Sequence, residues 1–180
     1  DSLTGGIYIH TGVPLDGPEY LGRGWERPAS LEFFDAAGTE SLQVNFGLKL
    51  NGGHSRLPEK SPKHSFRFTF RSKYGPSKLK YPLFKDFYAA TTFNSFVLRA
   101  GFCLSWVHHS HTQRIQAQYQ RDIWSKDTQL DMGHLSSHTE YVHLYLNGIY
   151  WGLYNACERP DARFLADHLG GSEEDWFSAK

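Results

Sequence analysis

The sequence predicts an α+β domain: an antiparallel or mixed sheet with one or two helices packed against it. Three observations lead there. Residues 43–50 and 64–71 alternate apolar and polar side chains with period two, the pattern of a half-buried strand. Residues 141–146 and 149–154 flank Asn147-Gly148, the pair that supplies the two left-handed residues of a type I′ turn, so these strands are antiparallel neighbours. Aromatic residues make up 16% of the chain beside 17 glycines, which favours twisted strands and tight turns over a helical bundle.

Along the chain, residues 1–29 read as a loop-rich lead-in, with glycines at 5, 6, 12, 17, 22 and 24 and prolines at 14, 18 and 28. Residues 30–180 read as the sheet-based core of a single domain, without repeats, low-complexity stretches or a Pro/Ser linker. A first strand is predicted at 30–34. In 43–50, Val44, Phe46, Leu48 and Leu50 share one face. In 64–71, Phe66, Phe68 and Phe70 oppose Ser65, Arg67, Thr69 and Arg71. Residues 96–99 form a short buried strand ending near Gly101. One helix is predicted over 112–130, capped by Thr112 and carrying Ile115, Tyr119 and Ile123 on one face. After the hairpin, a second helix starts with Pro160 in its first turn and ends at Leu169, closed by Gly170-Gly171.

Composition excludes several classes. Nineteen Lys plus Arg balance nineteen Asp plus Glu, so a broadly basic nucleic-acid or membrane-surface protein is ruled out. At 39% hydrophobic and 21% charged the chain is not a disordered tail. No apolar run approaches the ~20 residues of a spanning helix. Cys103 and Cys157 permit one disulfide, although buried free thiols are the commoner state of such a pair.

Chemistry concentrates in residues 51–67. Gly52-Gly53 leaves backbone amides accessible to an anion, the loop holds Arg56, Lys60 and Lys63, and the following strand projects Arg67 and Arg71. A solvated hairpin tip has the same composition. So does a single-stranded nucleic-acid platform, which the zero net charge opposes. Glu158 ends an apolar strand and has two readings. It is either a buried acid wanting a cation, from Arg159 or a lysine of the glycine loop, or a carboxylate at the start of the helix behind Pro160. His108, His109, His111, His134 and His138 match no standard metal spacing and read as solvated loop histidines. Asp122 and Asp131 read as helix-surface charges. Hydrolase elbows, Walker loops and His-Glu-x-x-His are absent.

Gly52-Gly53-His54-Ser55-Arg56, then Pro62-Lys63-His64-Ser65-Phe66-Arg67-Phe68 and Phe96-Val97-Leu98-Arg99-Ala100-Gly101, are followed by Tyr119-Gln120-Arg121-Asp122-Ile123-Trp124, the hairpin and Glu158-Arg159-Pro160-Asp161. In this order they resemble the spore coat protein H (CotH) kinase family, especially its large secreted bacterial members. The resemblance implies the N-terminal part of an atypical protein-kinase-like fold that uses ATP with Mg or Mn to phosphorylate Ser in secreted or coat proteins. It implies a secreted or cell-surface location and no nucleic-acid partner. By the same resemblance Gly52, Gly53, Ser55 and Arg56 form the nucleotide-side loop, Lys63 and Arg67 are strand-side cations near the phosphates, and Glu158 positions such a cation.

Two departures stand out. Residues 102–106 lack the carboxylate that often follows the Leu-Arg-x-Gly strand of the family. The Asn-x-Asp and Trp-Asp-x-Asp segments that carry the family's catalytic and metal-binding acids do not occur in this sequence. The expectation is a nucleotide-facing portion of the domain, truncated at its C-terminus and inactive by itself. The alternative is a non-catalytic extracellular binding module with an aromatic-rich sheet.

Overall fold

The computed structural model describes residues 26–39, 41–57, 59–86 and 88–177, so most of the predicted lead-in lies outside the described residues. The elements are β1 (Arg27–Phe34), β2 (Ser41–Asn51), β3 (Ser65–Thr69), β4 (Leu79–Lys80), β5 (Thr92–Phe93) and β6 (Ser95–Arg99), then α1 (His111–Ile115), α2 (Arg121–Asp131), β7 (Thr139–Leu146), β8 (Ile149–Glu158) and α3 (Ala162–Leu169). Six strands form one sheet in the order β1-β2-β3-β6-β8-β7, and β4 pairs with β5 in a small second sheet. Every pairing is antiparallel. The α+β expectation holds, with the sheet antiparallel rather than mixed.

The first strand starts at Arg27, three residues earlier than predicted, and takes in Pro28. Among the described residues β1 is an edge strand of the sheet, where a missing backbone donor is tolerated. The β7–β8 hairpin forms as predicted, with Asn147 at φ 51° and Gly148 at φ 78°. Its register slips by one residue between Leu144 and Tyr145, leaving a bulge beside Trp151.

The core follows from the alternation. Phe46, Phe66, Phe68, Phe70 and Phe96 are all buried on one face of β2, β3 and β6. Phe68 is central: its ring lies 4.3 Å from Phe46 and 4.8 Å from Phe96, centroid to centroid. Phe66 continues the row to Tyr154 of β8 at 5.8 Å. Such ring pairs each add ~0.5–1.5 kcal/mol beyond the area they bury. The small β4–β5 sheet closes this face with Leu79, Leu83, Phe84 and Phe93. Strands of two residues leave too little periodicity to be read from sequence.

The predicted helix over 112–130 is two helices. α1 ends at Ile115 and α2 begins at Arg121, with Thr112 inside α1 instead of capping it. Tertiary hydrogen bonds at Tyr119 explain the break. The Tyr141 hydroxyl donates to the Tyr119 carbonyl at 2.9 Å, and the Tyr119 hydroxyl meets Ser105 Oγ at 3.0 Å. An uninterrupted helix would need that carbonyl for its own ladder. The predicted apolar face is only partly used: Ile115 of α1 and Trp124 of α2 are both 69% exposed, while Ile123 and Leu130 of α2 are half-buried. Charge adds to the hold on α2: Asp122 accepts from Arg99 of β6 at 2.6 Å and from Lys126 at 2.8 Å, and Lys126 reaches Cys157 Sγ of β8 at 3.1 Å. Asp122 is therefore a tether and not the surface charge predicted. Both cysteines are free, Cys103 exposed and Cys157 buried.

The second predicted helix is α3. Asp161 is its N-cap, accepting from the Phe164 amide at 3.3 Å, so Pro160 stands just before the cap and not in the first turn.

Replacing Phe68 by Ala should cost ~3–5 kcal/mol of unfolding free energy in urea titrations, the range for deleting a buried Phe. Trp124→Ala should stay within ~0.5 kcal/mol of the parent, because that ring packs against so little.

Candidate functional site

Gly52 sits at the end of the β2 ladder with φ +114°, and a Cβ there would stand 2.1 Å from Ser55 Oγ. Only glycine lets the chain fold back into the 3₁₀ turn His54–Arg56, whose Arg56 amide donates to Gly53 O at 3.0 Å. His64 Nδ1 meets Ser55 O at 3.1 Å and fastens the turn to the start of β3. Arg56 is folded inward, only 5% exposed.

Lys63 leads into β3 and reaches across to the hairpin. Its Nζ donates to Leu153 O at 2.5 Å and lies over the rings of Tyr154 and Tyr119, 4.5 and 5.2 Å from their centroids. Tyr154 Oη returns a hydrogen bond to His64 O at 3.0 Å. The structure therefore joins Gly52, Gly53, Ser55 and Lys63 to the hairpin, but not to Glu158. From Leu153 to Glu158 is five residues of strand, ~16 Å.

Arg67 lies on the opposite face of the sheet from the phenylalanines. Cross-strand register places Lys49, Arg67, Val97, Cys157 and Thr139 in one row on that face. Lys49 and Arg71 share Glu26, at 3.9 and 3.7 Å, and Arg159 pairs with Asp161. Gly47 makes room for this acid, because a Cβ there would be 2.8 Å from Glu26 Oε1. Among the described residues Arg67 has no ion pair. Its Nη2 makes one long bond, 3.4 Å, to Ser95 Oγ, and its buried Nε has no partner. Burial, and then the neighbouring Arg159, push its guanidinium down to about 10. Burial and Arg67 likewise lower Lys49. Among the described residues four cations here face two acids. Among them too, five buried side-chain atoms without a partner lie on the same face: Arg67 Nε, Thr69 Oγ1, Thr139 Oγ1, and Asn155 Nδ2 and Oδ1. A face with surplus positive charge and unused polar atoms is suited to an oxyanion.

Comparison with family models decides the relationship. The family described as CotH kinase protein matches residues 48–178, well over half the chain. The chain belongs to the CotH kinase family. No curated protein matches it. The CotH match begins within β2 and takes in the glycine turn, Lys63, Arg67 and the hairpin, continuing past α3.

Glu158 of this CotH chain is buried at the end of β8, 3% exposed, as the buried-acid reading expects, but its partners are neither Arg159 nor a lysine of the glycine loop. Its partners are two histidines and two backbone amides. Oε2 accepts from the His138 amide at 2.8 Å and meets His138 Nδ1 at 2.8 Å. Oε1 accepts from the Ala90 amide at 3.2 Å and meets His168 Nε2 at 3.2 Å. These four partners engage both carboxylate oxygens. His138 is 4% exposed and His108 5%, so neither is the solvated histidine predicted. His108 accepts from the Ser110 amide at 3.0 Å and packs on Phe102 at 4.6 Å, while burial lowers its pKa. Lys49, Thr69 and Asn155 were missed as site residues, although strand alternation already puts Lys49 opposite Leu48 and Leu50.

Burial alone would raise the Glu158 pKa, but the hydrogen bonds from His138 and His168 overcome it and hold the group at about 2. Burial alone would lower His138, yet its hydrogen bond to Glu158 and the charges of Glu158, Asp86 and Asp127 raise it above 6.5. Glu158 therefore contributes stability that is complete above its ordinary value of 4.5 and fades as pH falls toward 2. The contribution of His138 is complete below 6.5 and fades as pH rises through its elevated folded value. Thermal melts across the pH range should place maximum Tm between those two ordinary values, and Glu158→Gln should flatten the profile. A parent Tm that climbs steadily from pH 6 to 9 would contradict this account.

Proposed function

We propose that this chain is the nucleotide-facing portion of a CotH-type phosphotransferase and holds the phosphates of ATP on the polar face of its sheet. Membership in the family supports kinase-like function. The single observation that carries the proposal is Arg67: a half-buried guanidinium that has no carboxylate partner among the described residues, its Nε unused, among Lys49, Arg71 and Arg159. A guanidinium presents planar paired donors to phosphate oxygens, and desolvation strengthens each bond it makes. Lys49 and Arg159 lie close enough to share the charge of a polyphosphate.

In this reading the glycine turn shapes the rim of the site through Gly52, Gly53, Ser55 and Arg56. Lys63 straps the turn to the hairpin. Bound ATP with Mg or Mn would supply the transferable phosphoryl group, and the acceptor would be a Ser hydroxyl of a secreted or coat protein outside the cytoplasm. The acids Glu26 and Asp161 already pair with cations, and the sequence lacks the Asn-x-Asp and Trp-Asp-x-Asp segments of the family. We therefore propose that the 180-residue chain binds nucleotide without transferring phosphate. Among the described residues no helix is long and apolar enough to cross a membrane.

A second reading rests on the hairpin tip, where Tyr145, Ile149, Tyr150 and Trp151 are 48–65% exposed. That patch suits a non-catalytic binding module for another surface protein or a glycan.

Calorimetric titration with ATP and Mg²⁺ tests the first reading. Arg67→Ala should weaken binding by ~10-fold or more, the loss of a charge-assisted hydrogen bond worth ~1.5–3 kcal/mol. Absence of ATP binding by the parent would sink the nucleotide reading and leave the hairpin module.

Lys63→Ala separates strap from phosphate ligand. It should lower stability by ~1–2 kcal/mol, through the lost carbonyl bond and ring contacts, while reducing ATP affinity less than Arg67→Ala does. The opposite order would return Lys63 to the phosphates.

A further inference from the structure

The histidines around Glu158 form a cluster that the phosphate-binding reading does not use. His138 precedes β7, Glu158 ends β8 and His168 lies in the last turn of α3, so three separate elements converge. One nitrogen from each imidazole and one carboxylate oxygen all lie within 4.8 Å of one another. The carboxylate is 2% exposed, the His138 side chain 4% and the His168 side chain 10%. Two backbone amides, Ala90 N and His138 N, pin the two carboxylate oxygens and leave the other lone pairs to the imidazoles. The rings stack with centroids 5.5 Å apart, and Phe164 packs on His168 at 4.5 Å, so both are held in orientation by apolar or aromatic contact.

A second observation concerns the far side of His138. Its Nε2 is buried without a hydrogen-bond partner, and Asp86 Oδ2 faces it at 3.7 Å. An Nε2–H would give that carboxylate something to attract. In a neutral ring a proton on Nε2 leaves Nδ1 bare, with its lone pair directed at Glu158 Oε2 only 2.8 Å away. Two lone pairs at that distance repel unless a proton on Nδ1 or a metal ion stands between them. A metal ion takes the place of that proton: Nδ1 binds it, Nε2–H points to Asp86, and Asp86 becomes the outer carboxylate that fixes the tautomer of a ligating histidine.

We propose that His138, Glu158 and His168 bind one divalent transition-metal ion of the zinc type, with Asp86 as the outer-shell partner of His138. Two imidazoles and a carboxylate are a common zinc donor set, and ligand bonds of ~2.0–2.2 Å need only a small side-chain rotation from the positions seen. Three protein ligands leave a fourth position for water. The ion takes the place of the imidazole protons that otherwise face Glu158 and ties β7, β8 and α3 together.

The test uses chelator-treated 180-residue chain without nucleotide, which keeps it independent of the ATP reading. Titration with Zn²⁺ should show one equivalent bound at micromolar concentration and a rise in Tm. Co²⁺ should give the visible absorption of a low-coordinate nitrogen–oxygen site. His168→Gln, at the cluster's rim, and Glu158→Gln should abolish both signals, and Asp86→Asn should weaken Zn²⁺ binding by about tenfold or more. Circular dichroism identifies any variant that fails to fold, and His168→Gln with Asp86→Asn then carry the decision. No Zn²⁺ uptake by the parent, or undiminished uptake by folded His168→Gln, overturns the proposal.

Discussion

Burying Phe66 and Phe68 obliges Arg67 and Thr69 to face the other way, because successive strand residues point to opposite sides of a sheet. β3 is flanked by β2 and β6 near the middle of the six-stranded sheet, so its two faces become the two faces of the domain. One face is an aromatic core running from Phe46 through Phe68 to Phe96. The other collects Lys49, paired with Glu26, and Arg67, Thr69, Asn155 and Thr139, whose buried polar atoms are unused among the described residues. A one-residue slip of β3 would exchange the two faces and bury Arg67 among phenylalanines, which makes the register strongly specified. The phosphate site proposed above is thus a consequence of how the core is made.

Electrostatics divide the remaining work. α2 lies over the polar side and is tethered by Asp122 between Arg99 and Lys126, while its Trp124 stays exposed. At the end of β8 a carboxylate is buried and requires compensation, which two imidazoles and two amides supply. Among the described residues Arg67 receives no such compensation. That contrast separates Glu158, whose oxygens already meet amides and imidazoles, from Arg67, whose Nε is unused.

Much of this was legible in sequence wherever one chemical rule acts over a few residues. The alternation of 64–71, the Asn147-Gly148 turn and the Gly170-Gly171 stop depend on local conformational preference. Reading failed where a distant partner outweighed local pattern. The helix predicted through Tyr119 breaks because Tyr141 and Ser105 claim that residue. His138 looked like a loop histidine because Glu158 lies twenty residues away and reaches it only through strand pairing. The bond from Lys63 to Leu153 O was hidden too, because that partner is a backbone atom ninety residues distant, invisible to side-chain motifs.

By itself the sequence determined the sheet's two-faced strands, the hairpin and its turn, and the motifs that mark a CotH chain. These depend on intervals of two to a few residues, where backbone geometry leaves little choice. Tertiary structure alone decided which buried charges found partners. It gave Glu158 two histidines, gave Lys63 a carbonyl and, among the described residues, left Arg67 without a carboxylate. Charge compensation depends on distances between residues far apart in the chain, and those distances exist only after the sheet has closed.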